Sequence, residues 1–246
     1  MKPTVYVKDF SLTLGQKDIV HKLSFEVNPG EVFAFLGANG SGKTSTIRAL
    51  LGLYEATSGT LHINGRQYSA KDAGSVGYLP EERGLYTRVS AIDNLIYFGE
   101  MKGMSRIEAR RVGLEFLNDV GLGDKANLKL KKLSGGQQQK IQLGVAVMGN
   151  PSLLILDEPT KGLDPVNRKL LLDIVEQHKQ QGAAVIYITH LMEEVERLAD
   201  RLFIIKDGKA KAYGTVSEVK KKFKATSIED VFVSIYSDVP KKKGSK

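Results

Sequence analysis

Gly37-Ala38-Asn39-Gly40-Ser41-Gly42-Lys43-Thr44 fills every position of the pattern G-x-x-x-x-G-K-[ST]. The five residues before it, Val-Phe-Ala-Phe-Leu at 32–36, read as a buried strand, and residues 43–53 after it read as a helix. Strand, glycine-rich turn and helix in that order form the nucleus of an α/β fold. They also say what the turn is for. Glycines let the loop fold closely round phosphate, its N–H groups point inward, and the helix N-terminus favours an anion. Lys43 would reach the β- and γ-phosphates, and the Thr44 hydroxyl would ligate Mg²⁺. A glycine turn with a chance lysine is the plainer alternative, and the flanking strand and helix argue against it.

Working outward, short β-rich runs alternate with helical patterns, as in an α/β fold with a largely parallel sheet. Residues 5–10, 23–27, 60–63 and 76–79 read as strands. Strand signals vanish from about 90 to 149, where helical patterns cover 91–101, 105–120 and 137–148, so this stretch reads as an all-helical insertion. Strands resume at 153–156, 184–188 and 202–205, with a helix over 166–181. The last strand, an Asp207-Gly208 turn and residues 210–213 read as a hairpin. No internal repeat is visible.

Composition narrows the class. Of 246 residues 41% are hydrophobic and 26% charged, an ordinary globular balance that leaves out collagen-like and disordered chains. The absence of cysteine removes disulfides, thiolate zinc sites and cysteine nucleophiles. No signal peptide or membrane span is expected, because the longest apolar runs fall far short of the roughly 18–20 residues a bilayer needs. The net charge of +8 is uneven. Residues 219–246 hold eight Lys against Glu229, Asp230 and Asp238, so they carry +5 of it and leave about +3 for the body. Such a terminal cluster is expected to be a solvated end, with 237–246 a basic flexible tail and no nucleic-acid partner.

Two further stretches carry chemistry. Leu153-Leu154-Ile155-Leu156-Asp157-Glu158 is an apolar run ending in acid, a buried strand that delivers carboxylates to the ligand-binding edge of the sheet. Asp157 would hold Mg²⁺, and Glu158 would orient or deprotonate an attacking water. In Leu133-Ser134-Gly135-Gly136-Gln137, residues 134–136 open the next helix and form a second anion site of the same physics. One chain then has two phosphate-binding helix starts and needs one nucleotide. A two-fold dimer resolves this, each ATP lying between the phosphate loop of one copy and Ser134-Gly135-Gly136 of the other.

Together these motifs resemble the nucleotide-binding subunit of an ATP-binding-cassette (ABC) transporter over residues 5–236, with 133–137 matching the family signature. The resemblance implies a phosphate-loop NTPase (RecA-like) core with an N-terminal antiparallel β subdomain and an inserted all-helical subdomain. It divides the single domain 1–236 into a core (1–88 and 151–223), the helical signature subdomain (89–150) and a C-terminal helix (224–236). It extends the nucleotide site to Ser45, Gln137 and Asp164, the last in a D-loop facing the partner copy. It makes His190 the switch histidine that contacts the γ-phosphate and holds Glu158, with Lys43 neutralising charge. It also implies a separate integral membrane permease, to which a cytoplasmic subunit binds peripherally, and a dimer formed either by two identical copies or with a second, paired cassette.

Two positions depart from the family pattern. The residue that aligns with the usual adenine-stacking aromatic is Leu14, and Phe10 and Tyr6 on the same strand are the alternative aromatics. In Gly77-Tyr78-Leu79-Pro80-Glu81 most members end in Gln; Glu81 keeps an oxygen ligand for Mg²⁺ and adds charge. The strings at 77–86 (GYLPEERGLY) and 226–236 (TSIEDVFVSIY) resemble a subfamily that pairs with ABC-2-type export permeases. A cassette ATPase acting on ribosomes or DNA is disfavoured, since those join two cassettes or carry long insertions. A phosphate-loop kinase has no use for Ser134-Gly135-Gly136 or a water-activating Glu158.

Overall fold

The computed structural model describes residues 2–82 and 84–237. Strands β1 (Val5–Leu14), β2 (Lys17–Val27) and β4 (Ser58–Ile63) form an antiparallel sheet in the order β2-β1-β4. In β1 the buried side chains run Val5, Val7, then Phe10 and Leu12. A register shift between Val7 and Phe10, with Asp9 at φ 50°, resets the alternation so that both halves face the core. That bulge is why the strand extends to Leu14 instead of stopping near Phe10.

The second sheet has six strands in the order β5-β6-β7-β3-β8-β9. β3 (Val32–Leu36) lies between β7 (Ala184–Ile188) and β8 (Arg201–Lys206), with β6 (Leu153–Asp157) and β5 (Val76–Leu79) beyond β7. All of these pairings are parallel; only the hairpin partner β9 (Lys209–Thr215) is antiparallel. β3, β6 and β7 are buried along their whole length, which explains their unbroken apolar runs. One face packs Phe33, Phe35, Ile155, Ile186 and Phe203 against Val5, Phe10 and Phe25 of the first sheet. The other face packs Val32, Leu154, Leu156 and Tyr187 against Leu171, Leu172 and Val175 of α5 (Pro165–Gln180).

The inserted helices α2 (Ala91–Met101), α3 (Arg106–Asp119) and α4 (Gly135–Val147) share their own core of Ile92, Leu95, Leu117 and Ile141. α1 (Lys43–Leu50) follows the phosphate loop and ends three residues before the sequence pattern suggested. A third layer comprises α6 (Met192–Leu198), α7 (Val216–Phe223) and α8 (Ile228–Tyr236), which pack on Ala34, Leu36, Leu202 and Ile204. The segment expected as one C-terminal helix over 224–236 is therefore the shorter α8, preceded by α7. Lys220, Lys221 and Lys222 are the last turn of α7, where cations complement the helix dipole, rather than part of a frayed end. The expected basic tail lies outside the described residues beyond Ser237.

Parallel alignment sends the C-terminal ends of β3, β5, β6, β7 and β8 to one edge. The phosphate loop, Glu81, Asp157, Glu158 and His190 all leave from that edge.

Candidate functional site

The edge opens into a cleft of about 770 Å³ lined by Gly37, Ala38, Asn39, Gly40, Gly42, Lys43, Thr44 and Ser45 on the loop side. Glu81, Asp157, Glu158, Lys161 and His190 line it from the neighbouring strand ends. Two glycines are required by close approach. A Cβ on Gly37 would meet Ser41 Oγ at 2.4 Å and the Ile205 carbonyl oxygen at 2.7 Å. Gly42, at φ 110°, would meet the Ile19 carbonyl oxygen at 3.2 Å. Gly42 is also the N-cap of α1, no side chain caps that helix, and its first turn holds no acid. The amides of Lys43, Thr44 and Ser45 are thus first-turn donors with the positive end of the helix dipole behind them.

Ser41 is not among the residues lining the cleft. It is buried, its N–H donates to the Ala38 carbonyl at 3.1 Å, and its own carbonyl accepts from Gly208 N–H at 3.1 Å. It braces the loop from beneath instead of facing the cleft. Lys43 Nζ donates to the carbonyls of Gly37 (2.7 Å) and Ala38 (3.2 Å). Burial lowers its pKa, while the charges of Asp157, Glu158 and Glu81 work in the opposite direction.

Asp157, 5% exposed, ends β6, and its pKa is raised to about 6, chiefly by burial and then by the carboxylates of Glu81 and Glu158. An acid in that state gains from a cation beside it. With the Thr44 hydroxyl and Glu81 on the same cleft, the donors are all oxygen, which suits Mg²⁺. Among the described residues no cluster of three or more His, Cys, Asp or Glu could hold a metal by itself. Mg²⁺ normally keeps waters and substrate phosphates among its ligands, so a partial protein cage is what it needs.

Glu158 turns sharply out of the strand. Its φ is 49°, rare for a residue with a side chain, and its N–H donates to the Ile188 carbonyl at 2.8 Å. The turn sets its Oε2 2.8 Å from His190 Nδ1. Thr189, just before the histidine, is buried and accepts from Leu191 N–H at 3.0 Å. Glu81 pairs with Lys161 (Oε1 to Nζ, 2.7 Å), a residue the sequence did not single out.

The signature residues lie elsewhere. Ser134 caps α4 with a reciprocal box: Gln137 N–H donates to Ser134 Oγ (3.3 Å), and Ser134 N–H donates to Gln137 Oε1 (3.0 Å). Ser134, Gly136 and Gln137 line a separate cleft of about 360 Å³ with Gly162, Asp164 and Asn167; Gly135 is not among its lining residues. Asp164 is the N-cap of α5, accepting from Asn167 N–H at 3.0 Å, and those bonds from Asn167 lower its pKa. Two buried glutamines of α4 tie the signature to the nucleotide cleft. Gln139 Nε2 donates to the Pro159 carbonyl (2.9 Å), and Gln142 Nε2 donates to that of Pro80 (2.9 Å).

The aromatic expected from β1 is absent from the cleft. Leu14 does not line it, Phe10 is wholly buried in the core, and Tyr6 packs by His62 at 6.4 Å between ring centroids. Lys17 and Ile19 of β2 and Phe232 of α8 form that wall.

The model of the ABC transporter family matches residues 20–161, which span the phosphate loop, the signature and the Asp157-Glu158 pair. The chain belongs to the ABC transporter family. It is 40% identical over 240 residues to an uncharacterised ABC transporter ATP-binding protein of Methanocaldococcus jannaschii, covering 98% of this chain and 88% of that one. It is 40% identical over 223 residues to the linearmycin resistance ATP-binding protein of Bacillus subtilis, covering 89% and 72%. A solved ATP-binding subunit of an ABC transporter superposes with a TM-score of 0.89 at 29% identity, covering 95% of this chain and all of that one. The fold is accordingly that of an ABC ATPase, and the chain is an ATP-binding, ATP-hydrolysing subunit of such a transporter.

Proposed function

We propose that two copies of this ABC subunit close around two Mg-ATP, and that closure and hydrolysis drive a separate membrane permease. The observation that carries this is the separation of the two anion sites. The phosphate-loop cleft and the Ser134–Asp164 cleft share no lining residue, which supports reading each copy as carrying two separate half-sites. A two-fold partner would bring one half-site from each copy onto one nucleotide.

In the composite site Lys43 and the amides of residues 43–45 hold the β- and γ-phosphates, and Ser134 with residues 135–137 of the partner copy approaches the γ-phosphate from the other side. Thr44, Asp157 and Glu81 would hold Mg²⁺, which would supply positive charge against the phosphates. Glu158 accepts a proton from the water that attacks the γ-phosphorus, and the bond to the β-γ bridging oxygen breaks to give ADP and phosphate. His190, 2.8 Å from Glu158, fixes the carboxylate and reaches the γ-phosphate. Asp164, which lines the same cleft as Ser134, communicates with the opposite copy in this reading.

The division into a core (1–88 and 151–223), a signature subdomain (89–150) and a C-terminal helix within 224–236 is part of the same proposal. So is the docking face. Tyr86 (50% exposed), Tyr97 (43%) and Met101 (61%) lie at the start of the helical lobe, with Tyr86 and Tyr97 rings 5.3 Å apart. An exposed aromatic patch there suits a coupling helix of the permease. Among the described residues no helix is long and apolar enough to cross a membrane, so the permease would hold the subunit at the cytoplasmic face. Export is the direction we propose, from the subfamily strings at 77–86 and 226–236 and from a relative named for linearmycin resistance.

Light scattering of Glu158→Gln protein tests the dimer. The mass should double on adding ATP, and the double variant with Ser134→Arg should bind ATP and stay monomeric. A Glu158→Gln protein that binds ATP and remains monomeric would overturn the homodimer.

A further inference from the structure

We infer that Phe232, carried on the C-terminal helix α8, supplies the ring face on which the nucleotide base rests. This rests on the reading of the 770 Å³ cleft as the ATP site. The phosphates occupy the end built from the loop, Lys43 and the strand-end acids. The base must then lie towards the remaining wall, made by Lys17, Ile19 and Phe232. Phe232 is the only Phe or Tyr among the described residues that line the cleft.

The ring is held for that task. It is half-buried and stacks on Tyr236 one helical turn later, with centroids 4.4 Å apart and planes 23° apart. Tyr236 is fastened to the phosphate loop: its hydroxyl accepts from Ala38 N–H at 2.9 Å and donates to the Ile205 carbonyl. Lys206 Nζ lies 5.4 Å from the Tyr236 ring centroid and donates to the Ile235 carbonyl at 3.0 Å, which fixes the end of α8. The stacking platform and the phosphate loop thus form one preorganised unit, although Ala38 and Tyr236 lie 198 positions apart in sequence. Stacking accepts any base, because every base has a π-face, so this device favours nucleotides over bare phosphates without selecting adenine strongly. Leu14, exposed at the end of β1, has no ring to offer and is relieved of the role.

The test compares ATP with inorganic tripolyphosphate, which has the phosphates and no base, by calorimetry. Phe232→Ala should weaken ATP by about tenfold and leave tripolyphosphate unchanged. Phe232→Trp should keep ATP affinity. Because the chain contains no other tryptophan, its fluorescence should respond to ATP and not to tripolyphosphate. Equal losses for both ligands in Phe232→Ala would show that the ring only supports the loop and would overturn the inference. Unchanged ATP affinity would overturn it as well. Lys43→Ala is the separate control and should weaken both ligands. If it weakened neither, the ATP-site reading itself would fail and take the inference with it.

Discussion

Replacing Asp157 by Asn should stabilise the nucleotide-free protein while abolishing its ATPase activity. The carboxyl sits 5% exposed beside Glu81 and Glu158, and its pKa rises from an ordinary 3.8 to about 6. The folded state therefore binds this proton more tightly than the unfolded chain, and stability is lost as pH climbs from about 4 to about 6. At about 1.36 kcal/mol per pH unit, the charged carboxylate costs the fold about 3 kcal/mol near pH 7. Asn is close in shape and carries no charge, so it should recover most of that amount. For a chain of this size the gain corresponds to about 5–10 °C in melting temperature. The assay is thermal unfolding in EDTA, wild type against variant, across pH. The advantage should be full at about pH 7.5, roughly half at about pH 5 and small at about pH 4. No stabilisation near neutral pH, or one independent of pH, would refute the electrostatic account of this site.

Other substitutions separate the remaining roles. Glu158→Gln should keep ATP binding and lose about 10²–10⁴-fold in phosphate release, the usual contribution of a general base; wild-type turnover would remove Glu158 from that role. Lys43→Ala should weaken nucleotide binding itself, read by titration with a fluorescent ATP analogue, and unchanged affinity would contradict its phosphate contact. Lys161→Met leaves Glu81 without its partner at 2.7 Å and adds net negative charge beside the metal ligands, so ATPase activity should saturate at lower Mg²⁺. A higher Mg²⁺ requirement would mean that Glu81 is not a metal ligand.

Legibility in the sequence followed locality. β3, β6 and β7 were visible because strands buried on both faces need unbroken apolar runs, and Asp157 and Glu158 could be placed as the acids closing one of them. Helix α4 begins at Gly135, not Gln137, because the Ser134–Gln137 box holds two poor helix formers in its first turn. Its glycines hid what its capping box announces. α7 was missed because its lysines read as a loose charge run, although Thr215 and Glu218 form the same kind of box at its start. What no local pattern encodes is pairing at a distance. Lys161 meets Glu81 across 80 positions, and Tyr236 meets Ala38 across 198. Ser41 shows the converse limit: the motif counts it with the loop, but the fold spends its backbone groups on Ala38 and Gly208.

The central claim is that each ATP is enclosed by the phosphate loop of one copy and the signature of the other. The absence of natural cysteine allows a direct measurement. One batch carries Asn39→Cys and a second carries Ser134→Cys, each added to Glu158→Gln, and the two are mixed under mild oxidation with and without ATP. A disulfide-linked dimer should form in the mixture, with ATP only, and in neither batch alone. A cross-link indifferent to ATP, or none in a mixture that light scattering shows to be dimeric, would contradict the shared site.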